Sequence, residues 1–284
     1  MLTIENTDEL RRQVNAWRRA GERVGFVPTM GNLHAGHYSL VDIARKRCDH
    51  VVASVFVNPT QFGPNEDYSR YPRTLVRDQE GLAAVGCELL FAPAVETMYP
   101  FGVAQPATVH VPVVTEPLEG AFRPGHFDGV ATVVTKLFNL VQPDVAVFGR
   151  KDYQQLLTIR RLVADLALPI EIVAGDTLRE ASGLAMSSRN QYLSAAERET
   201  APLIHQLLLR MRNRLAAGDA IATIASDAAA DLAAAGFKPD YVAIRRADDL
   251  AEPAEHQRDG LVGLVAARLG TTRLIDNLSL ERVD

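Results

Sequence analysis

Residues 24–37, VGFVPTMGNLHAGH, decide the fold of this 284-residue chain. The run 24–28 is short, apolar and rich in β-branched residues, which is typical of a buried central strand. A glycine-containing turn follows, and a helical pattern over 38–46 begins directly after it. Parallel α/β sheets are built from such strand–turn–helix units. The stretch therefore predicts an α/β fold with a parallel sheet.

The alternation of short apolar runs with helical patterns continues to about residue 175. It predicts further strands at 51–57, 88–91, 145–148 and 170–173, and further helices at 75–85, 129–140 and 154–166. Beyond Arg189 the alternation stops, and helical patterns at 195–217 and 220–235 precede strands at 239–244 and 261–278. We therefore expect a Rossmann-like domain over 1–178 and a smaller α+β lid domain over 179–284.

The composition limits the partners that the chain can bind. A formal net charge of -5 and an isoelectric point near 5.8 argue against nucleic acid, because there is no basic footprint for a phosphate backbone. No apolar run approaches membrane-spanning length, and the amino terminus lacks a signal-peptide pattern. Cys48 and Cys87 lie far apart and match no metal-ligand spacing. We expect a soluble cytoplasmic protein with two core cysteines and no membrane contact.

The strongest functional signal is the pair of histidines that follows the first predicted strand. In a parallel α/β sheet, ligands bind at the carboxyl ends of the strands, where a helix amino terminus attracts an anion. His34 and His37 are three residues apart, so both imidazoles can lie on one face of the first helical turn. Gly31 and Gly36 permit close backbone approach. The turn therefore predicts a phosphate site, although a surface histidine and a capping turn without ligand are the alternative.

A second signal is the run GLAMSSRN over 183–190. Gly183 permits a turn, Ser187 and Ser188 offer hydroxyl donors, and Arg189 adds a planar cationic fork that suits phosphate. We expect this loop to close over a triphosphate. A simple helix-capping turn is the alternative.

A third signal follows the strand predicted at 145–148. There Gly149 permits backbone approach, Lys151 can neutralise a phosphate, and Asp152 can accept a hydrogen bond from an ammonium group. Gln155, just inside the next helix, is expected to face the same site. An exposed charged helix terminus is the alternative.

A fourth segment, FVNPTQFG over 56–63, follows the second predicted strand. The amides of Asn58 and Gln61 could hydrogen-bond a hydroxy acid without adding a charge that repels its carboxylate. A surface loop shaped by proline and glycine is the alternative.

These four segments resemble a known family when they are taken together. The first is similar to the His-x-Gly-His signature of the nucleotidyltransferase superfamily, and 186–189 is similar to its Lys-Met-Ser-Lys-Ser loop. In this order and spacing, with YPRT at 71–74 and EGAFRPGHF at 119–127, the segments closely resemble the pantothenate synthetase family across essentially the whole chain. The resemblance implies a Rossmann-like fold and an AMP-forming ligase that joins pantoate to β-alanine through a pantoyl adenylate.

The resemblance also implies a role for each matching residue. His34, His37, Lys151 and Arg189 would be catalytic, with His37 most directly tied to the transferring phosphoryl group. Gln61 and Gln155 would bind pantoate, and Gln61 with Asp152 would place β-alanine. The residues that would border ATP are Met30, Gly31, Asn32, Leu33, His34, Ala35, Gly36, His37, Gly149, Arg150, Lys151, Asp152, Leu178, Met186, Ser187, Ser188 and Arg189.

The resemblance further implies Mg²⁺ bound with ATP, and a homodimer. Asp78 matches the acidic position of the family that would hold the metal, but Val76 and Arg77 stand where further acids can occur. Ser182 replaces the aspartate that usually precedes the loop beginning at Gly183. Two other functions remain open: an adenylyltransferase that moves AMP to a phosphate acceptor, and a nucleotide-binding regulator without turnover.

Overall fold

The computed structural model describes residues 1–64, 66 and 68–281, which divide into two compact units. The first unit comprises Met1–Arg150 and Gln154–Asp176. The second comprises Lys151–Tyr153 and the chain from Thr177 onward. The boundary expected at 178 and 179 lies near this division, but the turn at Lys151–Tyr153 belongs with the second unit.

The first unit is built on a parallel sheet, which confirms the predicted α/β class. Within the described residues it has six strands in the order β1-β4-β3-β2-β5-β6. Each strand predicted for this unit is present with slightly different ends. The strands are β1 Leu2–Ile4, β2 Val24–Thr29, β3 His50–Val55, β4 Leu89–Phe91, β5 Val145–Gly149 and β6 Glu171–Gly175.

Helices cover both faces of this sheet because alternate strand residues point to opposite sides. Phe26 and Phe91 pack on one face, where the long apolar helix α6 lies, whereas Val27 and Leu90 pack on the other. The helices of the unit are α1 Thr7–Arg19, α2 Ala35–Arg45, α3 Leu75–Ala84, α4 Val95–Met98, α5 Glu119–Phe122, α6 His126–Val141 and α7 Tyr153–Asp165.

The order of the strands locates the ligand-binding edge of the sheet. β2 lies at the centre, with β3 on one side and β5 on the other. The chain continues from β2 to β3 in one direction and from β5 to β6 in the opposite direction. In open α/β sheets, ligands bind outside the carboxyl ends of the two strands where the order reverses. Here those ends lead to Met30 and Arg150.

The second unit is a small α+β structure. In its described part, an antiparallel sheet β7-β8-β9 packs against α9 and α10 around Leu208, Leu232 and Val265. Its elements are α8 Ala195–Thr200, α9 Leu203–Ala216, α10 Ile221–Ala234, β7 Phe237–Arg246, β8 Leu261–Leu269 and β9 Thr272–Ser279. None of the helices in the described part of the chain is long and apolar enough to cross a membrane.

The structure corrects several predictions of secondary structure. The single helix predicted at 195–217 is two helices, because Pro202 cannot donate a backbone hydrogen bond and interrupts the pattern. The range 261–278, predicted as strand with polar interruptions in an antiparallel sheet, contains two antiparallel strands that form a hairpin turning at Gly270. Of the two cysteines expected in the core, Cys87 is buried and Cys48 only partly so.

Candidate active site

The turn after β2 is held by a buried carboxylate. Gly31 and Asn32 both have positive φ, so the N–H groups of Asn32 and Leu33 point to one side of the turn. The two carboxylate oxygens of Asp78 on α3 accept from those groups at 2.9 and 2.8 Å, and the Thr74 hydroxyl donates at 3.1 Å. Asp78 has 0% exposure. It therefore fixes the path by which the chain enters α2.

These contacts do not fit the expectation that Asp78 ligates Mg²⁺. Both of its oxygens already accept from protein donors, and the side chain has no exposed surface. Among the described residues, no group of three or more His, Cys, Asp or Glu side chains is arranged to hold a metal ion. Mg²⁺ usually retains waters and binds substrate phosphates through one or two carboxylates. We therefore assign Asp78 to the support of the histidine turn.

The two histidines at the start of α2 are ordered by the backbone. His34 is the N-cap, and its Nδ1 accepts from Gly36 N at 3.1 Å, while Nδ1 of His37 accepts from His34 N at 3.3 Å. Their ring centroids are 4.2 Å apart. Because each Nδ1 is an acceptor, each neutral ring carries its proton on Nε2. The turn thus presents two Nε2–H donors side by side, and such donors stabilise a developing oxyanion.

Gln61 is also buried in the first unit, near the histidine turn. Its Oε1 accepts from Asn58 Nδ2 at 3.1 Å, and its Nε2 lies 3.1 Å from the sulfur of Met30. Asn58 is held in turn by Gly129 O and by the Tyr99 hydroxyl, which donates to Asn58 Oδ1 at 2.8 Å. Since a thioether is a weak acceptor, the Gln61 amide can donate instead to a ligand oxygen beside Met30. The structure thus brings together two residues predicted separately.

A chain of polar residues holds the backbone of Gln61. His126, at the start of α6, donates from Nδ1 to Gln61 O at 2.8 Å, and its Nε2 accepts from Arg123 at 3.0 Å. Arg123 also makes two 2.6 Å hydrogen bonds with the Glu66 carboxylate. Because arginine cannot accept, these contacts fix His126 as the neutral Nδ1–H tautomer. In the sequence, His126 was noticed only as part of the segment 119–127, and no function was predicted for it.

The electrostatics agree with this hydrogen-bond pattern. Burial, and then the positive charge of Arg123, lower the pKa of His126 to about 4. Burial alone would raise the pKa of Glu66, but the hydrogen bonds and charge of Arg123 outweigh it and hold that pKa below its ordinary value. The Glu66 carboxylate is therefore ionised at neutral pH, and His126 is uncharged.

The low pKa of His126 predicts a pH dependence of stability. An unfolded histidine binds a proton below about pH 6.5, whereas the folded His126 beside Arg123, Glu66 and Glu119 does not until about pH 4. The contribution of the uncharged His126 ring to the free energy of unfolding is therefore fully present above pH 6.5 and is lost as the pH falls towards 4. Between pH 7 and pH 5 we expect the unfolding free energy of the wild type to fall by about 1 to 2 kcal/mol more than that of His126→Asn, measured by urea unfolding. Equal losses in the two proteins would contradict this assignment.

The turn after β5 contributes residues to both units. Arg150 N donates to Gly175 O at 2.7 Å in the first unit. In the second unit, Lys151 O accepts from Asn277 Nδ2 at 2.7 Å, and the Lys151 ammonium lies 3.6 Å from the Asp152 carboxylate. The Tyr153 hydroxyl donates to Ala247 O at 2.7 Å. The backbone of this turn is therefore held firmly in the second unit.

The two adjacent glutamines of α7 have different surroundings. Gln154 is buried and its amide bonds to Glu119 N, Val114 O and Pro117 O, so it fixes the segment before α5. Gln155 is partly buried, and within the described residues its side chain has no hydrogen-bond partner. Nothing in the sequence distinguishes the structural glutamine from the one that remains available to a ligand.

The loop with Arg189 is ordered by its own backbone. Leu178 O accepts from Met186 N at 2.9 Å, and Leu178 is 40% exposed. Ser187 Oγ accepts from Arg189 N at 3.2 Å, which caps the short 3-10 helix that follows. Ser182, which stands where the family usually has aspartate, accepts from Leu184 N at 3.4 Å. The bond between Leu178 and Met186 joins the two ends of the loop, and the segment Met186–Arg189 follows directly after it.

The paired Nε2–H donors lie beyond the central strand of a parallel sheet, at the point where the strand order reverses. This arrangement is typical of a nucleotide-binding α/β protein. A family model described as pantoate-beta-alanine ligase matches residues 2–279. The chain belongs to this family, which confirms the resemblance found in its motifs.

Curated relatives and solved structures agree with this membership. Pantothenate synthetase of Xanthomonas axonopodis pv. citri is 59% identical over 97% of this chain and 98% of its own. Pantothenate synthetase of Shewanella oneidensis is 57% identical over 99% of this chain and 100% of its own. The crystal structure of pantothenate synthetase from Thermus thermophilus matches with a TM-score of 0.92 and 50% identity, over 99% of this chain and 100% of its own. The pantoate-beta-alanine ligase from Francisella tularensis, complexed with beta-gamma ATP and beta-alanine, matches with a TM-score of 0.83 and 34% identity, over 100% and 99%.

Proposed function

We propose that this protein condenses pantoate with β-alanine at the expense of ATP, forming pantothenate, AMP and pyrophosphate. Two things support this: its family membership, and the paired Nε2–H donors of His34 and His37 at the ligand edge of the sheet. The relative from Francisella tularensis, crystallised with an ATP compound and β-alanine, agrees with the substrate set. The family match over residues 2–279 is the observation on which the proposal chiefly rests.

The reaction has two steps. A carboxylate oxygen of pantoate attacks the α-phosphorus of ATP, and pyrophosphate leaves with the bonding electrons. The amine of β-alanine then attacks the acyl carbon, AMP leaves, and the amine loses a proton. Formation of the adenylate is needed because the carbonyl carbon of a free carboxylate is a poor electrophile. Once the carboxylate is joined to AMP, AMP can serve as a good leaving group. Binding the reactants in the correct orientation supplies much of the acceleration.

Each candidate residue has a role in these steps. His34 and His37 donate to the phosphate oxygens as charge develops on them, and Lys151 and Arg189 neutralise the phosphates. Gln61 and Gln155 hold pantoate through their amides, while Gln61 and Asp152 place β-alanine. The remaining ATP contacts are Met30, Gly31, Asn32, Leu33, Ala35, Gly36, Gly149, Arg150, Leu178, Met186, Ser187 and Ser188.

Mg²⁺ is proposed to bind with ATP. It would sit among phosphate oxygens and waters, where it neutralises charge on the triphosphate, since Asp78 does not fit as its ligand. By the family resemblance, we also propose a homodimer that acts in the cytoplasm. Sedimentation equilibrium of the purified protein would test the dimer.

The proposed function is tested by separating its two steps. Incubation with ATP and pantoate, without β-alanine, should give pantoate-dependent exchange of labelled pyrophosphate into ATP. Addition of β-alanine should then yield pantothenate and AMP. Failure of the exchange would exclude the ligase. Transfer of AMP to a phosphate compound would indicate an adenylyltransferase, and ATP binding without turnover would indicate a regulator.

Gln155 should affect pantoate more than ATP. Because the described structure gives its amide no partner on the protein, Gln155→Ala should remove a substrate contact and raise KM for pantoate about tenfold, with little change in KM for ATP. Steady-state kinetics with each substrate varied in turn measure the difference. Arg160→Ala, at an exposed position of α7, is the control and should alter neither value. Equal increases in both KM values would contradict this role.

A further inference from the structure

Strand β9 carries two adjacent polar residues that are both buried. Asp276 is 5% exposed and Asn277 is 6% exposed. Neighbouring residues of a strand point to opposite faces of the sheet. When two neighbours are both polar, at least one of them usually faces solvent. A buried polar group is costly unless it is hydrogen-bonded. The partners of Asp276 and Asn277 therefore explain why this strand contains both of them.

Asp276 holds the loop that ends in Arg189. Its carboxylate makes two hydrogen bonds with the guanidinium of Arg179, at 2.6 and 3.0 Å, and Arg179 also donates to Gly183 O at 3.2 Å. Gly183 has positive φ and turns the chain back, so that Arg179 and Ala185 form a β-bridge. The position of Met186–Arg189 thus depends on Arg179, and the position of Arg179 depends on Asp276.

Asn277 holds the turn that contains Lys151. Its Nδ2 donates to Lys151 O at 2.7 Å, across 126 residues of sequence. This bond fixes the main chain of Lys151 directly, and the Tyr153 hydroxyl bond to Ala247 O fixes the other side of the same turn. Lys151, Asn277 and the Arg189 loop all belong to the second unit.

We propose that Asp276 and Asn277 are a positioning pair that holds the two cationic segments of the active site on one strand. The proposal rests on the phosphate-binding roles given above to Lys151 and Arg189. Neither residue of the pair is assigned a contact with substrate. They act through Lys151 and through Arg179 with the loop to Arg189, because displacing a charged donor by about 1 Å can lower the rate by a factor of about 100.

The test compares three variants of the second unit by kcat, by KM for ATP and by thermal unfolding. Asn277→Ala removes the bond to Lys151 O, and Asp276→Asn removes the charge and one of the two acceptors for Arg179. Asp240→Asn is the matched control, because it weakens the 2.7 Å ion pair between β7 and Arg273 of β9, which holds the same strand at a different place. We expect Asn277→Ala and Asp276→Asn to lower kcat/KM for ATP at least about tenfold. Asp240→Asn should leave it unchanged even where it lowers the unfolding temperature.

A double-mutant cycle separates positioning from general loss of structure. If Asn277 acts mainly through Lys151, Asn277→Ala should have a much smaller effect on kcat/KM in a Lys151→Ala background than in the wild type. Likewise, Asp276→Asn should have a much smaller effect in an Arg189→Ala background than in the wild type. Full additivity in both cycles, or unfolding shifts without kinetic change, would overturn the proposal. If Asp276→Asn fails to fold, the milder Asn277→Ala cycle decides alone.

The wild-type exchange assay keeps this test separate from the proposed function. An inactive wild type would refute the ligase itself, whereas an active wild type with unaffected Asn277→Ala and Asp276→Asn variants would refute only the positioning pair.

Discussion

His37→Ala should lower kcat by about two to three orders of magnitude while retaining most of the fold. The variant removes one of two adjacent Nε2–H donors, and the loss of a single oxyanion donor has an effect of this size on other enzymes. It also removes the Nδ1 acceptor for His34 N, which costs about 1 kcal/mol of stability, as the loss of a helix cap does. Pyrophosphate exchange and thermal unfolding measure the two effects.

Two further variants separate the two nitrogens of His37. Asparagine places Oδ1 near the position of Nδ1, so His37→Asn should keep the bond from His34 N and stability, yet be as inactive as His37→Ala. Glutamine places an N–H donor near the position of Nε2, so His37→Gln should recover part of kcat. Turnover unchanged in His37→Ala would assign the ring a structural role only.

The parallel sheet could be predicted because its signals are local. The turn after β2 was found from residues 24–37, since a buried strand, a glycine turn and a helix start are each encoded within a few residues. Strand β1 and helix α1 were not predicted. β1 has only three residues, of which Leu2 is exposed, so it gives no strong apolar pattern. Helix α1 is mostly polar, but Leu10, Val14 and Trp17 recur at helical spacing and pack on the core, so this helix could have been predicted from the sequence.

The support of the candidate site could not be predicted, because its partners are distant in sequence. Asp78 reaches a turn 45 and 46 residues away, and Asn277 reaches Lys151 across 126 residues. A local motif can identify the chemical groups that a reaction needs. The residues that hold those groups in place become their neighbours only when the chain folds. The same limit explains why Asp78, matched to an acidic position of the family, was expected to bind metal.

Asp78→Ala should destabilise the protein by about 3 kcal/mol or more and also reduce kcat. The substitution leaves the buried N–H groups of Asn32 and Leu33 and the Thr74 hydroxyl without their acceptor, and each unsatisfied buried group costs about 1 to 3 kcal/mol. The positive-φ turn at Gly31 and Asn32 would then relax and move the histidines that follow. Urea unfolding and pyrophosphate exchange measure the two losses. Asp42→Ala, an exposed carboxylate on α2, should affect neither.

The magnesium dependence of Asp78→Asn distinguishes support of the turn from metal binding. Asparagine keeps the shape of the side chain and one acceptor oxygen, but its NH₂ group faces a backbone N–H, so stability should fall by an intermediate amount. If Asp78 supports the turn, the Mg²⁺ concentration for half-maximal exchange at fixed ATP stays at the wild-type value while kcat falls. If Asp78 is a metal ligand, that concentration rises and the unfolding free energy in the absence of Mg²⁺ is unchanged. Because the three donors already satisfy both carboxylate oxygens, we expect the first result.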